Sequence, residues 1–329
     1  MLSKRENFLE AIRGGSPDRF VNQFEALALI RVNPIGAQGG YPMKPGDSAV
    51  DAWGVTHVFE PGTPGPFPVH DDEHKVLKDI TCWRDVVKAP ALDHPEEMWA
   101  AMKEKFVDGI DRSEQLATIF YPVGLFERTH YLMGIEECLM NLLEEPEEMH
   151  ALLDYLTDWE VGYAERVCEH YHPEALFHHD DWGTQKSSFM SPAMFEEFFV
   201  PHYKRIYDTY RKHGVKVIIH HSDSYAANLV PYMIEMGIDV WQGCLTTNNI
   251  PELIREYGGR IAFMGGVDNG LVDVADWTSE AVEKQVRELC ARCGSRNFIP
   301  CMCAGLPGSA FPGVYDAVTA SIDAINQNP

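Results

Sequence analysis

Short apolar runs alternate with longer amphipathic stretches along most of the chain. From about residue 115 onward, the apolar runs predict strands at residues 116–122, 175–181, 215–221, 238–243, 261–266 and 298–302. Helical patterns lie near residues 129–145, 147–171, 191–213, 224–236, 250–257, 278–293 and 313–327. Two further strands are expected near residues 20–29 and 51–55, which brings the count to eight. Because strands and helices alternate, we predict an α/β fold, a (β/α)8 TIM barrel.

The first hundred residues predict an extension of this barrel. Residues 2–13 have the pattern of an amphipathic helix, and the glycines, serine and proline at 14–17 end it. Residues 33–75 are rich in glycine and proline, which indicates a long loop or lid insertion. No clear second domain is visible, so we predict a single barrel domain over residues 1–329 with an N-terminal helical and loop extension.

Two of the predicted strands end in a pair of histidines followed by acid, at residues 178–181 and 220–223. The carboxyl ends of parallel strands are where α/β folds place their chemistry. Successive side chains of a strand point to opposite sides, so one histidine of each pair faces the barrel interior. We favour His179 and His221, which lie nearer the strand ends.

The first of these two junctions predicts proton transfer. Asp180 and Asp181 are adjacent carboxylates, and burial or the neighbouring charge would raise the pKa of one of them enough to make it a general acid. We therefore predict catalytic roles for Asp181, Asp180 and His179. The alternative is a loop that caps a helix, with one purely structural aspartate.

The second junction predicts a metal site. His221 and Asp223 supply nitrogen and oxygen donors, and Cys301 and Cys303 follow at the end of the last predicted strand. Histidine, cysteine and carboxylate together are ligands of zinc, which acts in catalysis as a Lewis acid with an open position. The alternative is a metal-free site whose histidines cap backbone carbonyls or bind substrate carboxylates.

Aromatic and amide side chains near the predicted strand ends are candidates for holding a planar ligand. The predicted substrate-binding residues are Trp53, Trp182, Gln185, Tyr225 and Gln242. The alternative for each aromatic side chain is a place in the hydrophobic core.

Charge and composition exclude several functions. Lys and Arg total 27 against 50 Asp and Glu, and a net charge of −23 opposes binding to nucleic acid or anionic membranes. No arginine cluster for a highly carboxylated substrate is visible. The chain lacks an apolar run long enough for a membrane span, and its N-terminus lacks a signal-peptide core, so we predict a cytoplasmic protein. The eight cysteines are expected to be reduced.

Several segments in order resemble the uroporphyrinogen decarboxylase superfamily. They are residues 5–7 and 17–19, 180–185, 191–195 with Pro201, 221–224, 237–240 and 301–312. The similarity runs over nearly the whole chain, although no single motif decides it. The resemblance implies a (β/α)8 barrel with its site at the carboxyl ends of the strands.

The resemblance leaves two chemistries to compare. The decarboxylases carry an N-terminal arginine motif that pairs with substrate carboxylates, whereas residues 22–27 here contain Glu25, which argues against a porphyrinogen substrate. The other branch comprises corrinoid-dependent methyltransferases of anaerobes. Members that methylate a thiol carry His-x-Cys at the fifth strand and a later Cys, and here Asp223 stands in place of the first Cys. A carboxylate ligand makes a metal harder, which suits polarising an oxygen.

We therefore predict a corrinoid-dependent methyltransferase that demethylates a small methylated compound, and we expect this compound to be a methoxylated aromatic. The resemblance implies that the methyl group passes to Co(I) of cobalamin on a partner corrinoid protein, with zinc as the metal in the barrel. A homodimer is left open. The alternatives are methyl transfer from methylcorrinoid to a thiol or folate, metal-independent decarboxylation of a small carboxylic acid, and a non-catalytic partner of the corrinoid protein.

Overall fold

A computed structural model describes residues 1–63 and 65–327. Its strands are β1 (Leu27–Ile30), β2 (Ser48–Val50), β3 (Thr56–Val58), β4 (Phe67–Pro68), β5 (Leu116–Tyr121), β6 (Ala175–His179), β7 (Val217–His221), β8 (Val240–Cys244), β9 (Ala262–Val267) and β10 (Phe298–Met302). Strands β1 and β5 to β10 form one parallel sheet of seven strands in that order. This curled parallel sheet confirms the predicted barrel-type α/β fold.

Helices follow most strands of this sheet. They are α1 (Lys4–Ile12), α2 (Trp83–Val86), α3 (Glu96–Phe106), α4 (Leu125–Met133), α5 (Ile135–Glu144), α6 (Pro146–Tyr171), α7 (Pro192–Phe198), α8 (Val200–Lys212), α9 (Val230–Glu235), α10 (Ile250–Tyr257), α11 (Asn269–Val272), α12 (Ser279–Cys293) and α13 (Val314–Gln327). Short 3-10 turns lie at Ile80–Cys82, Ala227–Leu229 and Thr246–Asn248. Of the described helices, none combines the length and apolar character that a bilayer crossing requires.

Two apolar layers hold the sheet in place. The inner layer fills the barrel with side chains such as Phe24, Phe177, Ile219 and Met264, all at most 4% exposed. The outer face of the sheet packs against the helices in a second, larger cluster. Because both faces are covered, the strands read as continuous apolar runs, as is typical of parallel sheets.

The prediction of an eighth strand at residues 51–55 is wrong. Gly54 N–H donates to the Asp51 carbonyl at 3.0 Å, and Asp51 Oδ1 accepts from Trp53 and Val55 N–H, so these residues form the turn between β2 and β3. Strands β2, β3 and β4 make a separate antiparallel sheet. This small sheet lies within the predicted 33–75 insertion, whose role as a lid stays a prediction.

Side chains before β1 connect the first and last strands of the barrel sheet. Gln23 Oε1 accepts from the Met302 N–H of β10 at 3.3 Å, and Gln23 Nε2 donates to Thr319 Oγ1 of α13 at 2.9 Å. Gln23 takes a positive φ of 50°. The contact brings the carboxyl end of β10 close to the segment that leads into β1.

Candidate active site and metal centre

His179 and His221 lie side by side where β6 and β7 end. The strand register pairs these two residues directly, and their rings stack with centroids 4.3 Å apart. His178 and His220 point to the opposite face of the sheet, where they contact the α8 side chain of Tyr207. The inward orientation of His179 and His221 therefore agrees with the strand alternation. We call this end of the sheet the barrel mouth.

The orientation of each inward ring is fixed through its Nδ1 atom. His179 Nδ1 lies 2.9 Å from Glu127 Oε2, near the start of α4. His221 Nδ1 bonds to Gln242 Oε1, while Gln242 Nε2 donates to the carbonyls of Met302 at 3.2 Å and Ala304 at 3.1 Å. Because the amide oxygen can only accept, His221 Nδ1 carries a hydrogen in this contact. Nε2 is then the nitrogen left for other partners.

Asp181 completes a group of potential ligands at the barrel mouth. Its Oδ1 lies 3.8 Å from His221 Nε2 and accepts from the Asp223 backbone N–H at 2.9 Å. One ligand atom from each of His179, Asp181 and His221 lies within 4.8 Å of the other two. We call these three residues the mouth triad.

The mouth triad fits a catalytic zinc ion. Two histidines and a carboxylate are an established zinc ligand set that leaves a coordination position open. Metal-binding histidines typically donate their second ring N–H to a carboxylate or carbonyl-type oxygen, as Glu127 and Gln242 accept here. A Cβ at Gly305 would lie 2.9 Å from His179 Cδ2 and 3.1 Å from His221 Nε2, so glycine leaves space beside both rings.

The surroundings of the His179 and His221 rings shift the pKa of the two side chains in opposite directions. Burial lowers the pKa of His179, but the Glu127 carboxylate, with Asp181 and Asp223, outweighs it and raises the pKa to about 10. Burial and then the neighbouring His179 charge lower the pKa of His221 to about 4. The surroundings therefore favour the protonated form of His179 and the neutral form of His221. Metal binding must displace the His179 proton.

Asp180 lies apart from the mouth triad, and its contacts are those of a helix cap. The side chain is fully buried and accepts from Phe126 N–H at 2.9 Å, from Glu127 N–H at 2.8 Å and from the Tyr203 hydroxyl. A carboxylate at a helix N-terminus pairs with free N–H groups and with the helix dipole. These contacts favour the structural alternative for Asp180, and the catalytic roles of Asp180 and Asp181 stay predictions.

The other three predicted metal ligands differ in exposure and in their contacts. Asp223 is exposed beside the triad, and its backbone rather than its carboxylate contacts Asp181. Cys301 is buried in the inner core. Cys303 is also buried, and its thiol lies 3.5 Å from the Cys244 carbonyl. Burial raises the pKa of both thiols, which opposes the thiolate form that binds metals.

The predicted substrate-binding residues do not converge. Trp182 is fully buried and stacks on His220 at 3.8 Å. Trp53 is 6% exposed and packs edge-on against Trp159. Gln185 is exposed on the loop after β6, and the half-buried Tyr225 donates its N–H to Thr184 of that loop. Gln242 reaches the site, but it orients His221.

Sequence reasoning missed two residues at the barrel mouth. Glu127 is buried between His179 and the Tyr131 hydroxyl, 3.3 Å from its Oε1. Arg31 directly follows β1, is exposed, and holds its guanidinium 5.9 Å from the Phe120 ring centroid. Both are charged residues just beyond a predicted strand, a signal that was present in the sequence. Arg31 also supplies a cation that the sequence analysis did not expect here.

Glu25 occupies a different place from the one expected. It precedes β1, so it lies at the amino end of the sheet, opposite the mouth triad. Its Oε1 accepts from the Asn22 N–H at 2.9 Å. The acid at this position therefore does not repel a substrate carboxylate at the barrel mouth, and the argument against carboxylated substrates loses this support.

The fold and the triad together define a parallel α/β barrel protein with a metal-compatible site at the carboxyl ends of its strands. Residues 115–325, more than half of the chain, match the family model described as uroporphyrinogen decarboxylase (URO-D). The chain belongs to the URO-D family. This result confirms the resemblance inferred from the sequence.

One relative and one solved structure of similar fold are described as methyltransferases. The chain is 24% identical over 220 residues to a methylated-thiol–coenzyme M methyltransferase of Methanosarcina mazei; the match covers 62% of this chain and 56% of that relative. A solved structure described as a methyltransferase from Methanosarcina mazei has a TM-score of 0.66 at 14% identity and covers 99% of both chains. The second similarity shows that the barrel fold extends over almost the whole chain.

Proposed function

We propose that this protein is a methyltransferase that removes a methyl group bound to oxygen, from a methoxylated aromatic compound, and passes it to Co(I) of a partner corrinoid protein. The observation that carries the proposal is the composition of the mouth triad. His179, Asp181 and His221 offer nitrogen and oxygen donors, while Cys301 and Cys303 are buried and do not belong to this group. The relative described as a methylated-thiol–coenzyme M methyltransferase supports methyl transfer as the reaction class.

The donor set favours an oxygen-linked methyl group. An ether oxygen is a poor leaving group, so its departure needs protonation or coordination as the methyl–oxygen bond breaks. A zinc ion bound by the triad would supply Lewis acidity to such an oxygen. Carboxylate and imidazole ligands leave the metal harder than thiolates do, which suits an oxygen partner.

The remaining residues of the barrel mouth orient these groups and accept the ring. Glu127 and Gln242 fix the two imidazoles, and the Asp223 backbone fixes Asp181. Phe120 is half-buried at the mouth and packs on Phe177, which stacks near His221. Phe120, backed by the buried Phe177, offers an apolar surface suited to an aromatic substrate. Arg31 above Phe120 is placed to attract an acidic group on that substrate.

The test is methyl transfer from a panel of methoxylated aromatics to a Co(I) corrinoid protein, followed through the corrin absorption spectrum. Wild-type protein is expected to convert Co(I) to methyl-Co(III), and His221→Ala is expected to lose this activity. His213→Ala is the matched control, because His213 is exposed after α8. Release of CO2 from the panel without methyl transfer would show a decarboxylase instead.

A thiol-linked methyl group is the second candidate, favoured by the name of the Methanosarcina mazei relative. The same assay therefore includes methylated thiols as donors and free thiols as acceptors. Faster methyl transfer with the thiol compounds than with the methoxylated aromatics would replace the first candidate.

A further inference from the structure

Two buried histidines behind the mouth triad share one hydroxyl group. His178 and His220 precede His179 and His221 in the chain and point outward from β6 and β7. The Tyr207 hydroxyl of α8 lies 3.2 Å from His178 Nδ1 and 2.9 Å from His220 Nδ1. Both histidines are fully buried, and Tyr207 is 1% exposed.

The direction of each hydrogen bond in this cluster follows from counting hydrogens. His220 Nε2 lies 3.1 Å from the Asp180 carbonyl oxygen, which can only accept, so this nitrogen donates. No side-chain carboxylate among the described residues contacts the buried His220 ring, so the ring is neutral and its Nδ1 accepts from Tyr207. The Tyr207 hydroxyl has one hydrogen to donate, and the bond to His220 Nδ1 uses it.

His178 must therefore donate to Tyr207 from its own Nδ1, because the hydroxyl oxygen has no second hydrogen to offer. The other nitrogen of His178 lies 2.7 Å from Glu160 Oε1, with one proton between the two groups. From His178 the bonds thus run in one direction, through Tyr207 and His220 to the Asp180 carbonyl, and Glu160 on α6 holds the other nitrogen of His178. We call these groups the rear chain.

We propose that Tyr207 is a positioning residue for the mouth triad, through this rear chain. The last acceptor, the Asp180 carbonyl, belongs to the peptide bond that joins Asp180 to Asp181. The two histidines are covalent neighbours of His179 and His221. The hydroxyl therefore ties together the strand ends that carry all three triad residues. The proposal rests on the proposed function only in naming these residues as ligands.

Tyr210 supplies a matched control on the same helix. Like Tyr207 it is fully buried, but its hydroxyl has no hydrogen-bond partner among the described residues. Tyr207→Phe and Tyr210→Phe each remove one buried oxygen atom and keep the ring. Only Tyr207→Phe breaks bonds, and it leaves two buried ring nitrogens without their partner.

The first measurement is zinc affinity, by competition with a chromophoric chelator. Groups that orient metal ligands typically change metal affinity about 10- to 100-fold when they are removed. Tyr207→Phe is expected to bind zinc at least about tenfold more weakly, while Tyr210→Phe binds as wild type does. Unchanged zinc affinity in Tyr207→Phe would overturn the proposal.

A second measurement separates this proposal from the proposed function. In metal-free protein, nitrogen-15 NMR of the histidine rings is expected to show His220 with its hydrogen on Nε2 and His178 with a hydrogen on Nδ1. Tyr207→Phe is expected to shift the ring signals of His179 and His221, and Tyr210→Phe is expected to leave them in place. Unmoved signals in Tyr207→Phe overturn the proposal even if the wild type binds no zinc and transfers no methyl group. If Tyr207→Phe does not fold, the wild-type hydrogen positions decide, and the opposite arrangement contradicts the rear chain.

Discussion

Asp51→Asn tests how the small antiparallel sheet is attached to the barrel. Asp51 Oδ2 lies 2.8 Å from Arg128 Nη1 of α4 and 3.3 Å from His57 Nε2. Its Oδ1 accepts from the Trp53 and Val55 N–H groups, both at 2.9 Å. Asparagine can keep the two Oδ1 bonds, but its NH2 group cannot accept from Arg128. The substitution therefore removes the ion pair with Arg128, replaces the charged partner of His57 and preserves the turn.

The expected loss of stability follows from the burial of this pair. A hydrogen bond to a charged group contributes about 1.5–3 kcal/mol, and breaking a fully buried ion pair costs about 3–5 kcal/mol. The Arg128 and Asp51 side chains are 12% and 15% exposed, so the pair is mostly but not completely buried. We expect Asp51→Asn to lower the free energy of unfolding by about 2–3 kcal/mol at neutral pH.

The pH dependence provides an independent check. Burial raises the pKa of Asp51, but the His57 hydrogen bond and the Arg128 charge outweigh it and hold the pKa well below the usual value. The stabilisation is thus fully present above the unfolded pKa of about 3.9 and is lost as the pH falls toward the lower folded value. The difference between wild type and Asp51→Asn should therefore shrink below about pH 4.

Urea unfolding followed by circular dichroism measures both effects. Asp72→Asn is the control, because Asp72 is an exposed acid in the same 33–75 segment. A loss below about 0.5 kcal/mol for Asp51→Asn at neutral pH, the range of ordinary surface changes, would refute the reasoning. So would a loss of equal size at neutral pH and at about pH 3.5.

Three further variants test the barrel mouth and its support. Arg31→Ala is expected to raise KM at least about tenfold for donors with a carboxylate and to leave neutral donors unchanged; equal effects on both would remove its role in binding an acid group. Replacing Cys301 and Cys303 together by alanine should leave the zinc content measured by elemental analysis unchanged, and loss of the metal would restore them as ligands. Phe177→Ala should cost about 3–5 kcal/mol in urea unfolding, because a buried ring beside His221 is lost, and a cost under about 1 kcal/mol would contradict the packing described.

The local pattern of apolar residues was sufficient to predict much of the fold. The apolar runs located six of the seven barrel strands closely, since a buried parallel strand shows itself in its own sequence. Strand alternation also gave the orientation of His179 and His221, because its period of two depends only on neighbouring residues. The turn at Asp51 was misread as a strand, although Asp followed by Gly three residues later is a turn signature.

The candidate site was harder to predict because its contacts join distant parts of the chain. Asp180 and Asp181 are adjacent, and their separate positions depend on the α4 N-terminus, which lies more than fifty residues away in sequence. Glu127 reaches His179 across a similar separation. No local pattern specifies which of two neighbouring acids meets a helix end. The placement of Cys301 in the inner core likewise follows from packing against other strands.

We propose that a metal held by the mouth triad activates an oxygen-linked methyl group. The most direct measurement is the rate of Co(I) corrinoid methylation by a methoxylated aromatic donor, with protein that has been stripped by a chelator and then given zinc. We expect the stripped wild type to methylate no Co(I) and to recover its rate when zinc is added. We expect stripped His221→Ala not to recover. Undiminished methylation by the zinc-free wild type would contradict the proposal.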